Sequence, residues 1–250
     1  MLNTIIHGDP TDKPSLLIAH GLFGSARNWG VIAKRLSVDR QVMAVDMRNH
    51  GGSFWSDSHS YPDLAGDLAQ LLTGPTDMVG HSMGGKAAMV LALTYPGLVR
   101  RLVVADIAPV AYAHSQQPQI DAMRRVDLAH VRNRAEAAEQ MQAEDPAVGA
   151  FLLQSLDLEE RRWRLNLDVL ERDMAIITGF PDIGSSFPGP AMVLTGALSR
   201  YVQPGDRGRI KSLFPRARFA KIPDTGHWLH AEKPREFEGA VRAFLDAPLS

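Results

Sequence analysis

Cysteine is absent from the 250 residues, which excludes disulfides, a thiolate zinc site and a cysteine nucleophile. An excess of either charge is also missing. With 27 Lys and Arg against 28 Asp and Glu, the formal net charge is −1, and nothing advertises nucleic acid or an anionic membrane as a partner. No apolar run approaches the roughly 20 residues that cross a bilayer. The opening MLNTIIHGDPTDKP has no basic start followed by an apolar stretch, so no signal peptide is expected and the chain reads as cytoplasmic. What is present is the stock of an ordinary globular domain: 45% hydrophobic and 22% charged residues, at a length that fits one domain carrying an insertion.

Short apolar runs alternate with helical patterns. Ser15–His20, Gln41–Val45, Thr76–Val79, Arg101–Ala105, Ala191–Thr195 and, more weakly, Arg218–Ile222 read as strands. Most are continuous apolar runs, as expected of parallel strands covered on both faces. Helical patterns occupy Tyr61–Leu72, Met83–Tyr95, Gly205–Phe214 and Pro234–Leu245. The alternation predicts an α/β class with a doubly wound, mostly parallel sheet. It stops at residues 109–188, where helical periodicity continues without a convincing strand. The expected division is therefore a core of residues 1–108 and 189–250 with a helical lid, 109–188, inserted in it. The apolar stripes of that segment (Met123, Val126, Phe151, Leu152, Trp163, Leu170 and Met174) are expected to pack the lid.

Gly80-His81-Ser82-Met83-Gly84 matches the G-x-S-x-G nucleophile elbow. A strand pattern precedes it and a helical one follows, so Ser82 falls on a tight strand-to-helix turn, hydroxyl exposed, beside the positive end of a helix. Gly80 to Lys86 also spells the phosphate-cradling G-x-x-x-x-G-K. The next residue, however, is Ala87, where that motif needs a hydroxyl for magnesium.

Partners for the serine occur elsewhere. His20-Gly21-Leu22-Phe23-Gly24 follows a strand pattern, and such a turn presents a backbone N–H to an oxyanion. Leu22 and Met83 are the expected donors, with Phe23 expected in the pocket wall and His20 as a structural residue. His227, in Pro223-Asp224-Thr225-Gly226-His227-Trp228, follows the last strand and is the expected general base. His50 and His81 are read as structural, and His230 as packing or capping. His7, His59, His114 and His130 have no supporting motif.

HGLFGSARNW, DMRNHGGS, GHSMGGKAAM, DIAPVAY and TGHWLHAEKP, in this order, resemble the α/β-hydrolase superfamily, and more narrowly its small bacterial YbfF-type esterases. The resemblance implies an α/β-hydrolase fold and hydrolysis of acyl esters or thioesters without a metal or organic cofactor. The commonest superfamily pattern has Asp shortly after the strand that follows the lid. Here that position holds Ser199, which cannot supply the charge that stabilises an imidazolium. Asp106, at the end of the strand after the nucleophile helix, is the preferred acid, and the subgroup resemblance carries the acid on this aspartate too. Asp224 and Asp206 follow. Asp46 is expected to pin its own turn with Arg48, and Ser199 to support the triad.

The expected reaction is hydrolysis of a small-molecule carboxylic ester or thioester through an acyl-enzyme. Rivals are a C–C hydrolase or lyase, for which Arg124, Arg125, Arg161, Arg162 and Arg164 could hold an acidic headgroup, and a ligand-binding protein without turnover.

Overall fold

The apolar runs become strands β1 (Thr4–His7), β2 (Leu16–Ala19), β3 (Val42–Val45), β4 (Thr76–His81), β5 (Val99–Ala105), β8 (Ala191–Gly196) and β9 (Ala217–Ile222) in the computed structural model, which describes residues 1–248. Between β5 and β8 lie two more, β6 (Leu156–Asp157) and β7 (Arg162–Trp163). The main sheet runs β1-β3-β2-β4-β5-β8-β9. All its pairings are parallel except β1 against β3. The central strands β2 and β4 are buried throughout, and each fully buried Leu, Ile or Val there contributes about 1.5–3 kcal/mol. Strand β1 was not readable from the sequence. It is a four-residue edge strand with half-exposed side chains, which leaves no continuous apolar signature.

Helices cover both faces. Gly30–Leu36 (α1), also unread in the sequence, and Pro234–Asp246 (α11) pack together over one core cluster, where Trp29, Phe237, Val241 and Leu245 are buried. Tyr61–Ala69 (α2) and Met83–Thr94 (α3) pack on the other face. Helix α3 has no polar stripe because it is enclosed on all sides: every residue from Met83 to Leu93 is buried. The remaining core helices are α9 (Arg207–Leu213) and the short α10 (Leu229–Glu232).

The segment between β5 and β8 carries α4 (Gln117–Arg124), α5 (Arg134–Met141), α6 (Pro146–Leu152), α7 (Leu167–Arg172) and α8 (Met174–Thr178). The expectation of a strand-free insertion is corrected here, because β6 and β7 form an antiparallel hairpin within it. Two residues per strand are too few to leave a period in the sequence. The hairpin flank reaches back to the core: Gly51 N–H donates to the Arg164 carbonyl at 2.8 Å and Asn166 N–H to the Asn49 carbonyl at 3.0 Å. Met123, Val126, Leu152, Trp163, Leu170 and Met174 are buried within the core cluster.

A second correction concerns Asp46. It does hold its turn, accepting from the N–H of Gly52 at 2.8 Å and of Ala26 at 2.7 Å. Arg48 is not its partner. The guanidinium instead reaches across to α2 and grips Asp67 through Nε and Nη2 at 2.6 and 2.8 Å, the two-pronged geometry that a planar guanidinium favours.

Candidate active site

The carboxyl ends of β4 and β5 and the turn after β9 converge on one edge of the sheet. Ser82 lies between β4 and α3 with φ 51° and ψ −121°, a backbone state that costs a non-glycine residue on the order of 1–3 kcal/mol. Its neighbours explain why the turn can be so tight. A Cβ on Gly80 would lie 2.4 Å from the Gly84 carbonyl oxygen, and one on Gly84 would lie 2.4 Å from the carbonyl oxygens of both Ala19 and His20. Only glycines let helix, strand and the β2 end approach this closely. Met83, the first residue of α3, has no intrahelical acceptor for its N–H. Leu22 N–H likewise has no acceptor among the described residues. Both residues border the cavity beside Ser82.

Asp106 follows β5 directly and is fully buried, with φ 54°. Its carboxylate is surrounded by donors. Oδ1 accepts from Gly196 N–H at 3.2 Å. Oδ2 accepts from His227 Nδ1 at 2.7 Å and also from the Ser199 hydroxyl. With Nδ1–H committed to the carboxylate, His227 leaves Nε2 as its acceptor. The imidazole is further fixed by Tyr201, stacked at 3.9 Å, and by His81, whose Nε2–H donates to the His227 carbonyl at 2.9 Å. No hydrogen bond joins Ser82 to His227 among the described residues, though both face the same cavity. Serine–histidine contacts of this kind often tighten only when substrate is bound.

The alternative acids lie elsewhere. Asp224 is exposed and pairs with Lys233 at 3.1 Å. Asp206 accepts from Gln203 N–H at 2.7 Å, closing the turn before α9. Among the described residues, no group of three or more His, Asp or Glu side chains is placed to hold a metal ion.

The cavity measures about 430 Å³, and its walls include Leu22, Phe23, Tyr61, Phe151, Leu152 and Ile177. Phe23 is buried and borders the cavity. Phe151, grouped in the sequence with the packing stripe, is a half-buried wall residue that leans on Trp228 at 5.6 Å between ring centroids. None of the five arginines suggested for an acidic headgroup borders the cavity. Arg124 pairs with Asp168 and Glu171, Arg164 with Asp157, Arg125 donates to the Met141 carbonyl, and Arg161 donates to the carbonyls of Leu128 and Ala129.

Two cavity residues carry roles that the sequence did not reveal. Tyr201 stacks on His227. Lys86, one helical turn after Ser82, is buried and donates to the carbonyls of Val110, Thr178 and Gly179 at 2.8, 2.8 and 2.5 Å. It thereby ties α3 to both ends of the segment between β5 and β8. Burial pulls Lys86 down to about 7. The sequence singled Lys86 out only as the lysine of G-x-x-x-x-G-K, a signal for a different chemistry.

Other buried histidines are held neutral. Burial brings His59 and His230 to about 3, the latter stacked on Trp29 at 4.2 Å. Below its ordinary value near 6.5, the unfolded chain binds these protons while the folded chain does not, so stability falls as the pH drops from there toward about 3. The urea midpoint is expected to decline steadily from pH 7 to pH 4, and less steeply in His230→Phe. A flat midpoint over that range contradicts this.

A family model described as the alpha/beta hydrolase fold matches residues 14–234. The sn-1-specific diacylglycerol lipase ABHD11 of Mus musculus is 40% identical over 257 residues, covering 96% of this chain and 83% of that protein. Esterase YbfF of Escherichia coli K12 is 36% identical, covering 92% of each. A solved structure, "Marine microorganism esterase", matches with a TM-score of 0.91 at 36% identity over 97% of this chain and 98% of that one. The strained serine turn, the buried carboxylate on its histidine and the apolar cavity above them agree with these likenesses, and the chain belongs to the α/β-hydrolase family.

Proposed function

We propose that the chain is a carboxylic ester hydrolase working through an acyl-enzyme on Ser82. One observation carries the reading: Ser82, on its strained turn, shares an apolar cavity with His227, and buried Asp106 holds the His227 Nδ1 proton at 2.7 Å. His227 Nε2 takes the Ser82 proton as Oγ attacks the acyl carbonyl, and Asp106 stabilises the imidazolium. The Leu22 and Met83 N–H groups receive the oxyanion. His227 then protonates the departing alkoxide or thiolate. Water enters by the same route, gives its proton to His227 and releases the acid, and the proton returns to Ser82. Ser199 supports the carboxylate by donating to Oδ2, the oxygen that also meets His227, while the Gly196 N–H holds Oδ1. The insertion closes the cavity as a lid, and its apolar walls suit an acyl chain. Relatives named as a diacylglycerol lipase and an esterase support a small-molecule acyl ester as the substrate class.

A p-nitrophenyl ester series from acetate to palmitate tests this. Turnover is expected at some chain length, with covalent labelling by a fluorophosphonate, and Ser82→Ala is expected to remove both. Absence of turnover across the series, or labelling that survives Ser82→Ala, contradicts the reading.

A further inference from the structure

The turn that carries Leu22 is gripped from two sides by groups that the chemistry above does not use. Phe23, the next residue, holds φ at 62°, a left-handed state that a bulky side chain adopts only when its surroundings enforce it. Both of its backbone polar groups are tied down. Its N–H donates to His50 Nε2 at 3.2 Å, and its carbonyl accepts from Ser155 Oγ at 3.2 Å. Fixing both polar groups of Phe23 holds the chain on the carboxyl side of Leu22, while the Leu22 N–H itself lies in the preceding peptide plane, together with the Gly21 carbonyl. Gly24 N–H closes the turn on the Gly21 carbonyl at 3.0 Å.

His50 suits this task. Its Nδ1 faces the Arg48 carbonyl at 2.9 Å, which can only accept, so the proton sits on Nδ1 and Nε2 is left as an acceptor. The ring is fully buried, and the imidazoles of His20 and His59 lie 5.1 and 5.4 Å away. Burial and these neighbours keep it well below its ordinary value and therefore neutral. His20 repeats the pattern at the start of the turn. Its Nδ1–H donates to the Gly21 carbonyl at 2.7 Å and its Nε2 accepts from Met47 N–H at 2.9 Å. Ser155 is also buried, but it arrives from the insertion, between α6 and β6. Beside it, the Asn28 amide donates to Gln154 Oε1 at 2.5 Å.

We propose that His50 and Ser155 are positioning residues for the oxyanion site: by pinning Phe23 they hold the turn whose Gly24 N–H grips the Gly21 carbonyl, and so keep the Leu22 N–H, in the same peptide plane as that carbonyl, aimed at the charge that develops on the substrate carbonyl. The insertion thus contributes to the chemical step as well as to the cavity walls. The inference rests on the reading of Ser82 as nucleophile and of the Leu22 and Met83 amides as its oxyanion donors.

Ser155→Ala is the primary test, because it removes one hydroxyl from a site outside the sheet. A kcat roughly tenfold lower is expected, smaller than the loss of a whole oxyanion donor, with KM within about twofold. The affinity for phenylboronic acid, whose tetrahedral serine adduct resembles the transition state, falls by the same factor, and inhibition by the product carboxylate is unchanged. Ser155→Thr, which keeps the hydroxyl, restores rate and boronate affinity. His50→Gln, which keeps an acceptor, retains more activity than His50→Ala. Unchanged kcat and boronate affinity in Ser155→Ala overturn the proposal, and so does an equal weakening of boronate and carboxylate, which marks general loosening of the site. A wild-type rate that survives Ser82→Ala overturns the underlying chemistry and this inference with it. A Ser82-dependent rate that neither positioning variant alters overturns the positioning alone.

Discussion

Replacing Asp106 by Asn is expected to lower kcat by roughly three to four orders of magnitude, with little change in KM. The carboxylate receives three donors: the Gly196 N–H, the Ser199 hydroxyl and His227 Nδ1–H. An amide has one acceptor and two N–H bonds in the same space, so in either orientation an N–H confronts another donor. With its NH₂ toward His227 it also selects the wrong imidazole tautomer. With its oxygen there, the tautomer survives but the charge that stabilises the imidazolium is gone. The buried position of Asp106 magnifies the loss, because no water can replace the charge. Steady-state kinetics on the best p-nitrophenyl ester measure this, with Asp224→Asn as the comparison. Asp224 is exposed and paired with Lys233, and its variant is expected to stay within about twofold of wild type, as surface substitutions usually do. An Asp106→Asn enzyme that keeps a tenth of its rate removes Asp106 from the acid role.

The second large effect is expected from a single methyl group. Gly84→Ala adds a side chain that helix propensity favours by about 0.5–1 kcal/mol. Here that preference loses. The new Cβ would lie 2.4 Å from two backbone oxygens, those of Ala19 and His20, at the end of β2. No rotamer change relieves a clash with main chain, so α3 must move off the sheet and carry Ser82 with it. Overpacking of this kind costs about 1–3 kcal/mol, occasionally more, and a shift of about 1 Å at the reacting oxygen costs on the order of a hundredfold in rate. Thermal melting and kcat measured on the same preparation are expected to fall together. Gly97→Ala serves as the contrast: an added Cβ there meets open space, and both values should hold. A Gly84→Ala enzyme of normal rate and stability contradicts the close approach of α3 and β2.

The core strands were legible because burial on both faces writes itself into the chain as unbroken apolar runs, as in LLIA of β2 and RLVVA within β5. The same logic hid β1 and the β6–β7 hairpin, which are too short or too exposed to leave such a run. Ser82 and His227 stood out because a strand-to-helix serine turn and a histidine after the last strand are local patterns. Asp106 was approached indirectly, through Ser199 standing where a carboxylate was expected, and the structure brings those two side chains into contact. Lys86 and Tyr201 could not be found this way. Lys86 bonds to carbonyls at positions 110, 178 and 179, and Tyr201 stacks on a ring 26 positions further along the chain, so both roles exist only once the chain has folded. Asp46 and Arg48 were misjudged for a related reason: adjacency in sequence suggested a pair, while the guanidinium found a better fork across the loop in Asp67.

The lean of Phe151 on Trp228 has an optical consequence. The indole is half-buried at the cavity, directly after His227, and its aromatic neighbour belongs to α6 of the insertion. Any movement of that helix, or any guest that fills the cavity, changes the polarity and quenching around this ring. The molecule therefore carries its own fluorophore in the wall of the site, one that reports entry without a label.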